Sequence, residues 1–294
     1  MTTTVRFDPS APYDVDETDV AYARPDGQDL LARVYRPKGT PEVPLIGVVD
    51  VHGGAWNRGD RTVGVQIGRG LAAAGVVVAS LDFRQGPSHK HPAAAADVAA
   101  GLRWMRAHAP RLGVDPARVG LSGQSSGGHL ALLVAVRPGF PAYAGTPIVG
   151  PDGSLDSAPG NDAVAFVLAG YPVCDPIARF RYVQGRAQEP GFDASRFIAS
   201  HHGYFTDEAA MAEASVTRVV ASGEARALPP VWVAHPELDD NVPPEITEAF
   251  VRAYEQRGKL ERTFFPGARH GFLQQASADT DKALALMRDF IGRN

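Results

Sequence analysis

The 294 residues include one cysteine, Cys174, so no disulfide can form within the chain and nothing in the cysteine count calls for an oxidising compartment. A lone thiol of this kind is expected as buried filler. No apolar run approaches the roughly 18 residues that cross a bilayer, and no membrane partner is expected. Charge of one sign is also scarce: 29 basic residues stand against 33 acidic ones, a formal net charge of -4, without a long run of either sign. That balance carries no electrostatic footprint for DNA, RNA or anionic lipid and points to small neutral partners instead. Repeats of solenoid length are missing, and the only biased tracts are short alanine clusters such as Ala93 to Ala96, which read as helix. The opening residues MTTTVRFDPS have neither a basic nor an apolar region, so the expected location is cytoplasmic. Oligomeric state leaves no readable mark.

What the chain does have is the make-up of an ordinary globular protein, 44% hydrophobic and 21% charged. Short β-branched runs alternate with helical stretches, the pattern of a mostly parallel sheet covered on both faces by helices. After an opening hairpin around Asp29 to Tyr35, the runs are Leu45 to Val51, Val76 to Asp82, Arg118 to Ser122, Val164 to Ala169, Val231 to Ala234 and Arg262 to Phe265. Helices are expected at roughly 92–108, 126–136, 244–257 and 279–291. Pro92 and Pro244 suit first-turn positions. The stretch from about 172 to 228 breaks the alternation and reads as an insertion over the strand ends, while 138–162, rich in Pro and Gly, reads as a long loop. One domain spanning 1–294, with that insertion embedded in it, fits best.

Gly123-Gln124-Ser125-Ser126-Gly127 matches GxSxG, directly after one strand-like run and directly before a helix-like one. A sharp strand-to-helix turn needs glycines where backbone approaches backbone; it lifts the serine oxygen off the sheet and sets the Ser126 amide at a helix N-terminus. His52-Gly53-Gly54-Ala55-Trp56 follows the run Leu45 to Val51. Amide hydrogens of Gly54, Ala55 and Ser126 are the candidate donors to an oxyanion. His52, at the head of this loop, reads as its support rather than as a base.

The base is expected beyond the nucleophile. His270, in Pro266-Gly267-Ala268-Arg269-His270-Gly271-Phe272 after the last strand, qualifies. An acid that orients it should follow the preceding strand, where His235-Pro236-Glu237-Leu238-Asp239-Asp240-Asn241-Val242-Pro243 offers three carboxylates. His89, His91, His201 and His202 have no carboxylate or cysteine at metal-ligand spacing, so no metal and no organic cofactor is expected.

These motifs resemble the bacterial carboxylesterases of the hormone-sensitive-lipase-like branch of the α/β-hydrolases. Asp82-Phe83-Arg84 followed by Pro87 and His91-Pro92 looks like the DYRLAPE segment of that branch; Asp97 with Trp104 continues its helix. Gly113-Val114-Asp115-Pro116 also looks familiar, and Tyr171-Pro172 with Asp175 is similar to the entry into that branch's cap. The resemblance implies an α/β-hydrolase fold with a small cap, and a Ser125–His270–acid triad that cleaves small esters through an acyl-enzyme; short acyl chains are expected because no long apolar lid segment suggests action at an oil surface. Its DxxVP spacing selects Asp239 as the acid, with Asp240 next in line. Ala55 stands where the branch has its third glycine, Gln124 and Ser126 replace the usual acidic residue and alanine, and Gln85-Gly86-Pro87-Ser88 departs from LAPE. HGGAW also looks like the HGGYW loop of kynurenine-formamidase-like hydrolases, which keeps amide or formamide cleavage open, and the fold also hosts non-catalytic binding proteins. The aromatics Phe180, Tyr182, Phe192, Phe197, Tyr204 and Phe205, with Trp56 below, either wall a substrate pocket or pack the insertion onto the sheet; Trp56, Tyr204 and Phe205 are the expected substrate contacts.

Overall fold

The computed structural model describes residues 3–158 and 160–294. Met1 and Thr2 of the opening segment and Pro159 of the 138–162 stretch lie outside them.

The strands are β1 (Thr4–Val5), β2 (Val15–Ala23), β3 (Leu30–Pro37), β4 (Thr40–Pro41), β5 (Leu45–Val51) and β6 (Val76–Leu81). They continue with β7 (Val114–Gln124), β8 (Ile148–Val149), β9 (Leu155–Asp156), β10 (Val167–Gly170), β11 (Val231–Leu238) and β12 (Leu260–Arg269). Ten of them form one sheet in the order β12-β11-β10-β7-β5-β6-β3-β2-β8-β9, and β1 pairs with β4 separately. From β12 to β6 every pairing is parallel; β3 then turns antiparallel against β6 and forms a hairpin with β2. The central strands β5, LIGVVDV, and β6, VVVASL, are buried along their whole length, which is why they read as unbroken apolar runs rather than alternating ones.

Helices α1 (Val65–Ala72), α2 (Ala93–Ala107), α3 (Ala109–Leu112), α4 (Ser126–Val136), α9 (Pro244–Glu255) and α10 (Ala278–Arg293) connect or follow the strands. Between β10 and β11 run four further helices: α5 (Pro176–Gly185), α6 (Ala194–Tyr204), α7 (Glu208–Glu213) and α8 (Val216–Ala221). Helix α4 is buried on all sides, consistent with a sequence, SGGHLALLVAV, that is apolar all round. Helix α9 instead buries a stripe of Ile246, Phe250, Val251 and Tyr254. Each helix between β10 and β11 starts at an acceptor side chain. Asp175, Asp193, Asp207 and Ser215 take the amide hydrogens of Ala178, Arg196, Ala210 and Arg218. Such caps matter most for helices too short to be stable alone.

The fold departs from the expected pattern in several places, among them the nine-residue strand β2, which pairs with β3 ahead of the expected hairpin region. Helix α1 was not foreseen, because Gly64, Gly68 and Gly70 break its helical signal. Two of these glycines serve close packing: a Cβ at Gly68 would meet the Tyr35 ring at 2.5 Å, and one at Gly70 would meet Leu284 at 2.6 Å. The 138–162 stretch is not only loop, since β8 and β9 extend the sheet edge from it. Strand β12 continues past Phe265 to Arg269, with mostly exposed side chains that weaken its apolar signature.

Candidate active site

Residues that follow β5, β7, β11 and β12 meet outside the carboxyl ends of the strands, where open α/β sheets hold their ligands. Ser125 sits between β7 and α4 with φ 55° and ψ −120°, a strained backbone for a non-glycine residue. The turn is fixed on both sides. The Ser125 amide donates to the Gly170 carbonyl at 2.9 Å, and the Ser125 carbonyl accepts from His129 at 3.0 Å and Val173 at 3.1 Å. Glycine is required at both flanks: a Cβ at Gly123 would lie 2.5 Å from the Gly127 carbonyl oxygen, and one at Gly127 would collide with the Val51 and His52 carbonyls. Below the turn, the Gln124 side-chain Nε2 donates to the Asp50 carboxyl at 3.2 Å, and the Ser80 hydroxyl donates to the same carboxyl at 3.1 Å. Burial pushes the Asp50 carboxyl above the usual range.

His270 lies between Ser125 and Asp239. Its Nε2 is 2.8 Å from Ser125 Oγ, and its Nδ1 is 2.9 Å and 3.1 Å from the two Asp239 oxygens. Asp239 is buried, and its Oδ1 also accepts the amides of Asn241 at 3.0 Å and Val242 at 2.8 Å. Neither neighbouring acid bonds His270. Glu237 accepts the Gly267 amide at 2.8 Å, whereas Asp240 is exposed and its carbonyl receives Tyr182 and Arg186.

In the loop after β5, Gly54 has φ 125° and Ala55 has φ 53°. A Cβ at Gly54 would collide with the Arg58 carbonyl, so only glycine fits there. Among the described residues the amides of Gly54, Ala55 and Ser126 have no hydrogen-bond acceptor, which leaves three donors beside Ser125. His52 bonds its own loop at the Gly53 carbonyl (2.7 Å) and stacks on Phe83 at 4.3 Å; burial lowers its pKa and favours the neutral ring. The Asp82-Phe83-Arg84 segment braces this region: Asp82 holds Arg61, Phe83 underlies His52, and Arg84 pairs with buried Asp97.

A cavity of about 330 Å³ opens at Ser125 and His270, bounded by the Gly53–Ala55 turn, Arg58, Arg179, Phe197 and Asn241. Here one expectation is corrected. Trp56, Tyr204 and Phe205 do not line this cavity; all three are fully buried. The indole stacks on Tyr204 at 5.6 Å and meets Phe205 edge-on at 5.1 Å. Its Nε1 donates to His129 Nδ1 at 3.1 Å, and His129 Nε2 in turn donates to the Ala214 carbonyl at 2.8 Å. These rings gain more from mutual contact than from facing a small polar cavity, and they fasten the helices between β10 and β11 to α4. Of the aromatics read in that insertion, Phe197 reaches the cavity. Arg179 and Asn241, which also line it, carried no motif. In PIARFRYVQG an arginine reads as a solvent-facing helix residue.

Among the described residues there is no cluster of three or more His, Cys, Asp or Glu side chains able to hold a metal. Nor is any helix among them long and apolar enough to cross a membrane. Cys174 is buried.

A parallel sheet flanked by helices, with an elbow after a central strand and a histidine after the last, defines an α/β-hydrolase fold. The chain belongs to the BD-FAE family, whose model matches residues 33–254. It is 31% identical over 280 residues to esterase LipC of Mycobacterium tuberculosis, covering 92% of this chain and 64% of that protein. The chain thus spans less than two thirds of that relative's length. It is 26% identical over 278 residues to the ethyl acetate hydrolase of Pseudomonas putida, covering 92% and 80% respectively. Among solved structures, the hyperthermophilic esterase of the archaeon Pyrobaculum calidifontis shares the fold with a TM-score of 0.72 and 23% identity, over 97% of this chain and 85% of that one. These likenesses bear out the resemblance read from the motifs.

Proposed function

We propose that this chain is a serine carboxylesterase that hydrolyses small, short-chain carboxylic esters through an acyl-enzyme. Ser125 Oγ attacks the ester carbonyl while His270 Nε2 takes its proton, and Asp239 stabilises the imidazolium. The amides of Gly54, Ala55 and Ser126 hold the negative oxygen of the tetrahedral intermediate. Collapse breaks the ester C–O bond, and His270 returns the proton to the departing alcohol. Water, deprotonated by His270, then attacks the acyl-serine, and release of the carboxylic acid restores the Ser125 hydroxyl. The residues from about 172 to 228 act as a small cap over this site.

The observation that carries this reading is the continuous chain from Ser125 through His270 to Asp239, at 2.8 Å and 2.9 Å. A cavity of about 330 Å³ lies at the lower end of ligand sites and favours short acyl and alcohol parts. The esterase names of the relatives point the same way. In the test, Ser125→Ala is expected to lose turnover of 4-nitrophenyl acetate and labelling by a fluorophosphonate probe, with an unchanged circular dichroism spectrum. Activity retained by that variant would refute the nucleophile. Across a chain-length series, kcat/KM should peak at short acyl chains; a peak at long chains would refute the size preference.

A further inference from the structure

We propose that Arg179, with Arg58 at the rim, forms a carboxylate-binding subsite in the Ser125 cavity, so that the preferred ester carries an ionised carboxylate besides the scissile group. The subsite rests on the serine-esterase reading and names its substrate class.

Arg179 is only 2% exposed, yet among the described residues it forms no ion pair with a carboxylate. Its Nε donates to the Asn241 carbonyl and Oδ1 at 3.2 Å and 3.1 Å, and its Nη2 donates to the same Oδ1. Nη1 meets only His201 Nε2, at 3.5 Å. A guanidinium has paired N–H groups on both terminal nitrogens, so one on each is left without an acceptor. Phe197 lies under the guanidinium at 4.7 Å. Asp239, whose charge favours the guanidinium, already accepts from His270, Asn241 and Val242.

A cation out of water is costly unless paired. Burial pulls the Arg179 pKa down to about 10, which still leaves it charged at neutral pH. The rest of the cavity does not supply the missing anion. Its lining contains a second arginine, exposed Arg58, and no aspartate or glutamate, although the chain as a whole carries a net charge of -4. A carboxylate on the substrate can take the two free N–H groups in the forked geometry that suits guanidinium. The cavity volume restricts such a substrate to a few carbons: a monoester of a short dicarboxylic acid, or an acyl ester of a short hydroxy acid.

Acid release by the purified protein, followed in a pH-stat, tests both sources of the carboxylate. One arm compares monoethyl glutarate with ethyl hexanoate, and the other compares 3-acetoxypropanoate with butyl acetate. In at least one arm the anionic ester should be favoured by about tenfold or more in kcat/KM, and added NaCl should shrink that ratio. The ratio should fall toward one in Arg179→Met and be partly kept in Arg179→Lys. Turnover of the neutral esters with no anionic preference in either arm overturns the subsite and leaves the esterase reading intact. An equal loss on both members of a pair in Arg179→Met also overturns it, since Arg179 would then only brace Asn241 and the acid loop. Should no ester turn over, calorimetry on Ser125→Ala decides. Binding of monoethyl glutarate or 3-acetoxypropanoate that Arg179→Met abolishes keeps the subsite while the esterase reading fails; no binding of either ends both. If Arg179→Met does not fold, the wild-type ratio and its salt dependence carry the decision.

Discussion

At the scale of single residues, the site depends on atoms that are absent as much as on those present. Gly54 can occupy its position because it has no Cβ to strike the Arg58 carbonyl, and its φ of 125° is open to glycine and strained for any other residue. Gly54→Ala must therefore displace the loop that carries the free amides. We expect kcat to fall by about 10² or more, as when an oxyanion donor is removed, with the far-ultraviolet circular dichroism spectrum preserved. A variant with near-normal kcat would show that this loop has no part in the chemistry. The histidines illustrate how environment assigns roles to one residue type. His52 and His129 are buried and hydrogen-bonded to backbone carbonyls, whereas His270 bridges an acid and a hydroxyl.

At the scale of elements, the short helices between β10 and β11 position Arg179 and Phe197 over the strand ends. Helix α5 starts at Asp175, whose side chain accepts the Ala178 amide at 3.1 Å and whose carbonyl accepts the Arg179 amide at 3.0 Å. Asp175→Ala removes the side-chain cap while leaving the carbonyl. The expected cost is about 1 kcal/mol of stability, read as a lower urea midpoint at constant slope; a midpoint unchanged within error would mean that tertiary packing alone holds the first turn. The strands on either side were legible because each is a compact apolar run. Helix α1 was not, because glycines chosen for contact with Tyr35 and Leu284 imitate the signature of a turn.

At the scale of the whole molecule, folding buries His52, His129 and His201 in neutral form, the last two with the larger shifts. Burial lowers the pKa of His129 to about 3, and burial together with nearby Arg179 does the same to His201. Their unfolded value is near 6.5, so below that pH the unfolded chain takes up protons that the folded one refuses. This contribution to stability is complete above about pH 6.5 and is lost progressively as the pH falls toward 3. Each histidine contributes up to about 1.4 kcal/mol per pH unit in that window. Urea midpoints should accordingly fall between pH 7.5 and pH 5, and the fall should be smaller in His129→Gln. A flat profile would contradict the neutral burial of these rings.

The sequence by itself determined the parallel sheet, the elbow at Ser125 and the order of chemical groups along the chain, because these follow from apolar runs and from glycine spacings that are local. The choice among Glu237, Asp239 and Asp240 needed a resemblance, and their three environments became visible only when β11 and β12 lay side by side. Tertiary structure alone decided that Trp56, Tyr204 and Phe205 turn into the interior, and that Arg179 turns into the cavity without a carboxylate partner among the described residues. The physical reason is that burial and charge pairing are set by what other segments bring to the same place, and the residues involved here are separated by up to 149 positions, from Trp56 to Phe205.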